Sequence, residues 1–290
     1  EEFGTEIALE HSDVIYFGDF FRDDILDKDT DELIEVAPKI YELVPSLLTA
    51  QERVDMFLGK YNNEPKLKSM PLVLFSDAVK HLLRICRVLS MPRGHLLFVG
   101  IGGSGRQSLT KLAAYICRHE CKQIALKISS KCLFNAEGMA KRSHFLITDS
   151  DIINEDFLEY INMVLATGMI AGLFLKEERD MMAAEIRPIA KKELADFDDS
   201  HDTLVKFLLS RIRENFHIVL AFSPANPKFA ERARKFPALI SGCTIDWFLR
   251  WPVDALQSVS RKFIEGDPQF EVCHIDNWKK KKITFLLILF

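Results

Sequence analysis

The chain has 290 residues, enough for one large domain or two small ones around a buried core. Hydrophobic residues make up 48% and charged residues 28%, which excludes a disordered chain and fits a globular one. The formal net charge of -4 argues against a general nucleic-acid or anionic-membrane partner and leaves room only for a local basic patch.

Taken in order, the first apolar run is Val14 to Phe17, followed by Gly18-Asp19-Phe20-Phe21. It predicts a strand or extended linker entering a turn. Residues 31–60 carry helical spacing, with Leu33, Ile34, Ala37, Ile40 and Val44 on one face and Pro38 and Pro45 as interruptions. Pro71 is expected to open a long helix whose apolar face runs Leu74, Ala78, Leu82, Ile85 and Leu89, ended by Pro92 and Gly94. His95 to Val99 reads as a buried strand, residues 100–105 as a tight glycine loop, and Arg106 to Arg118 as an amphipathic helix. A second buried strand, Phe145 to Thr148, ends in Asp149 and leads into a helix with Phe157, Ile161, Val164 and Leu165 on one face. A charged, helix-rich stretch covers about 176–215. The third strand, His217 to Phe222, ends in Ser223-Pro224, and another helix and loop lead to Trp247-Phe248-Leu249-Arg250-Trp251-Pro252. Strands alternating with helices predict an α/β fold on a parallel sheet.

Cys86, Cys117, Cys121, Cys132, Cys243 and Cys273 match no tetrahedral zinc spacing, so reduced thiols of a cytosolic protein are expected. The chain opens at Glu1 without a Met, as expected of a fragment. Lys279 to Lys282 followed by Ile283 to Phe290 is too short for a membrane helix and is expected to be a non-native end.

Strand, glycine loop and helix in succession is the context of a phosphate-binding loop. Glycines let the backbone approach an anion, and the helix adds its positive N-terminal end. The usual pattern is G-x-x-x-x-G-K-[ST]. Here Gly100, Ile101, Gly102, Gly103, Ser104 and Gly105 keep both glycines, whereas Arg106 replaces the lysine and Gln107 the magnesium-binding hydroxyl, with Ser108 one place later. Asp149 fits the strand-end aspartate that holds magnesium in such sites, together with Gln107 or Ser108. The next residue is Ser150, which cannot act as the general base, and Asp151 and Glu155 are expected to face solvent or cap the following helix. ATP or ADP with Mg2+ is therefore the expected ligand, with binding favoured over turnover. Ser223 is a candidate sensor of the terminal phosphate, the alternative being a simple turn before Pro224. For the loop itself the alternative is a glycine-rich turn in a protein that binds no nucleotide.

Together these residues resemble a known family. Pro92 to Leu109 looks like the Walker A segment of the fourth AAA+ module of axonemal dynein heavy chains. Tyr16 to Phe20, Arg84 to Leu89, Phe145 to Asp149, Phe222-Ser223-Pro224, Arg232 to Pro237, Ile245 to Phe248 and Trp251-Pro252 are similar to the same module. The resemblance covers about residues 10–265. It implies a P-loop NTPase of the AAA+ type, with a RecA-like parallel sheet flanked by helices and a truncated helical lid. The implied parts are an N-terminal linker with helices (1–70), the large α/β domain (71–250), and the start of the lid with the tail (251–290).

The implied whole protein is a microtubule motor of cilia and flagella, located in cytoplasm, cytoskeleton and axoneme. The fourth module of that family regulates motility. Neighbouring modules of the same chain, intermediate and light chains, and microtubules are the implied partners. Arg234 is the candidate arginine finger acting in trans, with Arg232 as runner-up and a solvated basic helix end as the alternative for both. The match thins between Gln123 and Phe145, where the family has a longer segment, and stops after about Ile264. A structural ring or scaffold module without nucleotide is the competing function. An unrelated P-loop enzyme would need the lysine and hydroxyl that are missing here.

Overall fold

The computed structural model describes residues 15–26, 33–123, 142–168, 175–194 and 197–265. The thinned 124–141 stretch, the C-terminal tail, Cys132 and Cys273 lie outside the described residues.

Five strands form the central sheet: β5 (Leu96–Gly100), β6 (Glu120–Gln123), β7 (Ser143–Thr148), β8 (Phe216–Phe222) and β9 (Thr244–Phe248). Their order is β6-β7-β8-β5-β9, and every pairing is parallel. β5, β7 and β8 are buried along their whole length, which explains their unbroken apolar character. Successive side chains then serve opposite faces. Leu96 and Phe98 join one core, and Leu97 and Val99 join the other. Each such side chain is worth about 1.5–3 kcal/mol when fully buried, so the two cores hold the sheet from both sides.

The first face is covered by α1 (Leu47–Asn63), α2 (Ser76–Ser90) and α3 (Arg106–Cys117). The second is covered by α4 (Asp156–Thr167), α5 (Lys176–Glu193) and α6 (His201–Asn215). After β8 come α7 (Lys228–Lys235), α8 (Ala238–Ser241) and then β9, and α9 (Val253–Glu265) follows the sheet. Upstream lie two short antiparallel pairs, β1 (Phe17–Gly18) with β4 (Glu42–Leu43) and β2 (Ile25–Leu26) with β3 (Leu33–Glu35). This arm is tied to α1 by Arg53, whose guanidinium donates to the carbonyls of Phe20 and Arg22.

Three expectations need correction. The helical spacing over 31–60 becomes a helix only at Leu47, where Ser46 accepts from the Thr49 amide as N-cap. Upstream, Pro38 and Pro45 push the residues before them out of the α region, and Ile34 and Ile40 are exposed. The helix placed at Pro71 starts five residues later, at Ser76, and Pro71, Leu72, Val73 and Phe75 line a cavity instead. Finally, the stretch before Trp247, expected as helix and loop, ends in β9 (Thr244–Phe248). It is an edge strand with alternating burial and lacks the apolar run of its neighbours.

At the N-terminal end of the sheet, away from the glycine loop, four histidines are buried: His95, His119, His144 and His217. The His217 Nδ1–H donates to the Gly94 carbonyl, and His95 Nδ1 accepts from the Ile218 amide. His119 stacks on His217 with centroids 5.2 Å apart. Both ring nitrogens of His119 and of His144 have no hydrogen-bond partner among the described residues. Burial holds His95 and His144 down to about 4 and His119 to about 3, so all of them are neutral at pH 7.

Candidate nucleotide site

β5 and β8 are adjacent, but the chain leaves β5 for the far edge at β6 and later returns past β8 to β9. A ligand crevice is expected at such a switch point, beyond the carboxyl ends of the strands. Residues 101–105 occupy it. Gly103 and Gly105 have φ of +81° and +84°, a conformation that L side chains rarely adopt. Gly100 lies so close to β9 that a Cβ would sit 2.7 Å from Phe248 Cβ. α3 starts directly after the bend, with the Leu109 amide bonded to the Gly105 carbonyl. The loop therefore aims a helix N-terminus and its own amides outward. Among the described residues, no side chain occupies the N–H groups of 101–105. Ser104 Oγ is buried in the loop without a hydrogen-bond partner among the described residues.

The loop opens onto a cavity of about 540 Å³ lined by Gly103, Ser104, Gly105 and Ser108 and by the apolar Val73, Phe75 and Trp251. Phe75 and Trp251 meet edge to face at 5.3 Å. A polar mouth beside an apolar, aromatic chamber suits a ligand with phosphates at one end and a planar base at the other. His81 and Arg84 also line it. Both bond to Asp246, which is 4% exposed in β9: His81 Nδ1 at 2.7 Å and Arg84 Nη1 at 2.9 Å. His81 in turn stacks on Phe248 at 3.9 Å. This trio fixes the back wall. The sequence signal for it was an aspartate in an otherwise apolar run, since a buried charge requires partners.

Arg106 crosses the mouth of the loop. Its Nη1 donates to the Phe222 carbonyl at the end of β8 at 2.7 Å, and its Nη2 to the Ile101 carbonyl at 3.1 Å. Burial lowers its pKa while nearby Asp149 opposes that, and the group stays cationic. Gln107 is exposed on α3, and Ser108 lines the cavity.

Asp149 sits in a one-turn 3-10 helix after β7, with its carboxylate turned to β8 and α7. Oδ2 accepts from the Ser223 amide at 2.6 Å, and Oδ1 accepts from Asn226 Nδ2 at 3.0 Å and Arg232 Nη1 at 2.7 Å. Ser223 thus meets Asp149 through its backbone. Ser150 is an exposed residue, and its Oγ lies 2.8 Å from Thr148 Oγ1. Asp151 caps the turn by accepting from the Thr148 amide. Glu155, expected at a cap or in solvent, instead pairs with Arg232 at 2.8 Å and Lys228 at 3.3 Å. The Arg232 hydrogen bonds are the main cause holding its carboxyl below the usual range. Arg232 itself is 4% exposed and fully engaged by its own chain, whereas Arg234, two residues on, is exposed.

The family model described as "P-loop containing dynein motor region D4" matches residues 70–288. This chain belongs to that dynein family. It is 44% identical over 92% of its length to "Dynein axonemal heavy chain 5" of Mus musculus, and 41% identical over 91% to "Dynein gamma chain, flagellar outer arm" of Chlamydomonas reinhardtii. It is also 40% identical over 77% to "Dynein-1-beta heavy chain, flagellar inner arm I1 complex" of Chlamydomonas reinhardtii. The chain spans 6%, 6% and 5% of the length of these relatives. The parallel sheet flanked by helices is the P-loop architecture that the sequence predicted. No described helix of this dynein module is long and apolar enough to cross a membrane.

Proposed function

We propose that this dynein module binds ATP or ADP and turns it over slowly or not at all, as a regulatory part of an axonemal motor. The observation that carries the reading is the loop 101–105. Its amides and the orphaned Ser104 hydroxyl stand at the mouth of an apolar cavity of about 540 Å³. Phosphates would rest on Gly102 to Arg106, and the base would enter between Val73, Phe75 and Trp251. Ser150, at the position after Asp149, carries no charge to activate water, which supports binding without fast hydrolysis. Ser223 and Asn226, at the end of β8, would sense the terminal phosphate through their bonds to Asp149. In the assembled heavy chain, Arg234 would face the neighbouring module's phosphates. The whole protein would then take part in ATP-dependent, microtubule-based movement of the ciliary axoneme, alongside the other ring modules, intermediate and light chains, and microtubules.

The test is equilibrium binding of a fluorescent ATP analogue to the 290-residue chain, with thermal unfolding beside it. Ligand at 100 times Kd should add about 2.7 kcal/mol of stability. Gly105→Val forces a branched side chain to φ +84° and turns the loop amides away. Arg106→Ala removes a charged donor worth about 1.5–3 kcal/mol. Each is expected to weaken binding by at least about tenfold while circular dichroism stays unchanged. A folded wild type with no saturable binding would leave the scaffold role in its place.

A further inference from the structure

We infer that this site takes its nucleotide without a divalent cation, a conclusion that rests on the nucleotide reading above. In a metal-dependent site the strand-end carboxylate and a loop hydroxyl hold the ion, and the ion cancels the repulsion between that carboxylate and the phosphates. Both halves of that arrangement are altered here. Gln107 stands at the hydroxyl position and is exposed, and the nearest hydroxyl on the helix, Ser108, lies one place later, lining the cavity. Both oxygens of Asp149 already accept hydrogen bonds, and the cation beside Asp149 is a guanidinium, with Arg232 Nη1 2.7 Å from Oδ1. Magnesium demands near-ideal octahedral oxygen ligation. At Asp149 it would also sit within a few ångströms of a buried positive charge, where like-charge repulsion is strong.

Arg232 therefore does electrostatically what the metal would do: it neutralises the strand-end carboxylate, Oδ1 of Asp149 accepting from its Nη1 at 2.7 Å. It is locked in that role by Glu155, which accepts from its Nε and Nη2. Charge for the phosphates themselves comes from Arg106, which spans the mouth between the Ile101 and Phe222 carbonyls. A guanidinium there can grip phosphate oxygens in a two-pronged manner, which the usual lysine cannot.

The experiment is titration of the chain with fluorescent ADP in excess magnesium and in excess EDTA. The two Kd values are expected to agree within about threefold, whereas a metal-dependent site should weaken by more than about tenfold in EDTA. A loss of that size overturns the inference and leaves the nucleotide site standing. Absence of binding in both buffers removes the nucleotide reading and this inference together. Arg232→Met frees Asp149 and is expected to make binding magnesium-dependent by more than about tenfold. If it folds and stays indifferent to magnesium, Arg232 is not the substitute cation. The wild-type comparison decides the main question even if that variant does not fold.

Discussion

An Arg232→Ala chain is expected to unfold roughly 10 °C below the wild type. Arg232 is 4% exposed and joins three elements: the turn after β7 through Asp149, the start of α4 through Glu155, and α7, where it resides. Its guanidinium also lies 5.6 Å from the Phe222 ring centre. Removing the cation leaves two carboxylates without their main counter-charge. Breaking a buried pair on one side typically costs about 3–5 kcal/mol. The lower end applies here, because Asp149 and Glu155 side chains are 23% and 29% exposed and water can partly solvate them. Asp149 also keeps the Ser223 and Asn226 donors, and Glu155 keeps Lys228. At about 2–4 °C per kcal/mol for a chain of this size, a loss near 3 kcal/mol gives the stated shift. Arg234→Ala is the control. It removes an exposed side chain and should stay within about 0.5 kcal/mol of wild type. Calorimetry on the two variants separates the buried cation from the exposed one. Equal melting temperatures for both would disprove the structural role of Arg232.

The second large effect is a loss of stability between pH 6.5 and 4, caused by the histidines at the far end of the sheet. An unfolded histidine titrates near 6.5. In the folded chain, burial first, and then repulsion from His217, holds His95 and His144 at about 4, and His119 lies at about 3. Between those values the unfolded state binds protons that the folded state refuses. Stability therefore rises with pH across this window and falls as pH drops from 6.5 toward 4. The full shift of one ring to about 4 corresponds to about 3 kcal/mol. The rings repel one another when charged, so their contributions overlap and do not simply add. Urea titrations at half-unit pH steps should show the midpoint falling steeply below pH 6.5. His119→Leu forfeits no hydrogen bond among the described residues and should flatten that slope by about one proton. A midpoint that is level down to pH 5 in the wild type would mean that these rings are not buried neutral. Glu155 acts in a separate, lower window. Its folded pKa is depressed by Arg232, so its contribution is present above the ordinary carboxylate range and disappears only as pH falls through its lowered value.

Much of the site was legible because its parts are local. The apolar run before Gly100, the glycines to 105, and the amphipathic spacing after Arg106 are contiguous, and their order alone specifies strand, bend and helix. The replacements Arg106, Gln107 and Ser150 are read directly from the chain. The strand end at Asp149 was equally local. Helix starts were less legible, because the apolar spacing from Leu33 to Val44 looks helical until the two prolines and the exposed faces of Ile34 and Ile40 are weighed together.

By itself, then, the sequence determined the α/β class, the strand–glycine bend–helix order around 100–105 and the serine that follows Asp149, since each rests on neighbouring residues and on short-range backbone preference. Only the tertiary structure decided what those groups face. Arg232 reaches Asp149 across 83 residues and Glu155 across 77. His81 and Arg84 find Asp246 on an edge strand that periodicity did not reveal. The four histidines converge only when β5, β6, β7 and β8 pair in parallel register. The reason is physical: a buried charge or ring takes its protonation and its role from partners brought together by packing, and chain spacing carries no record of them.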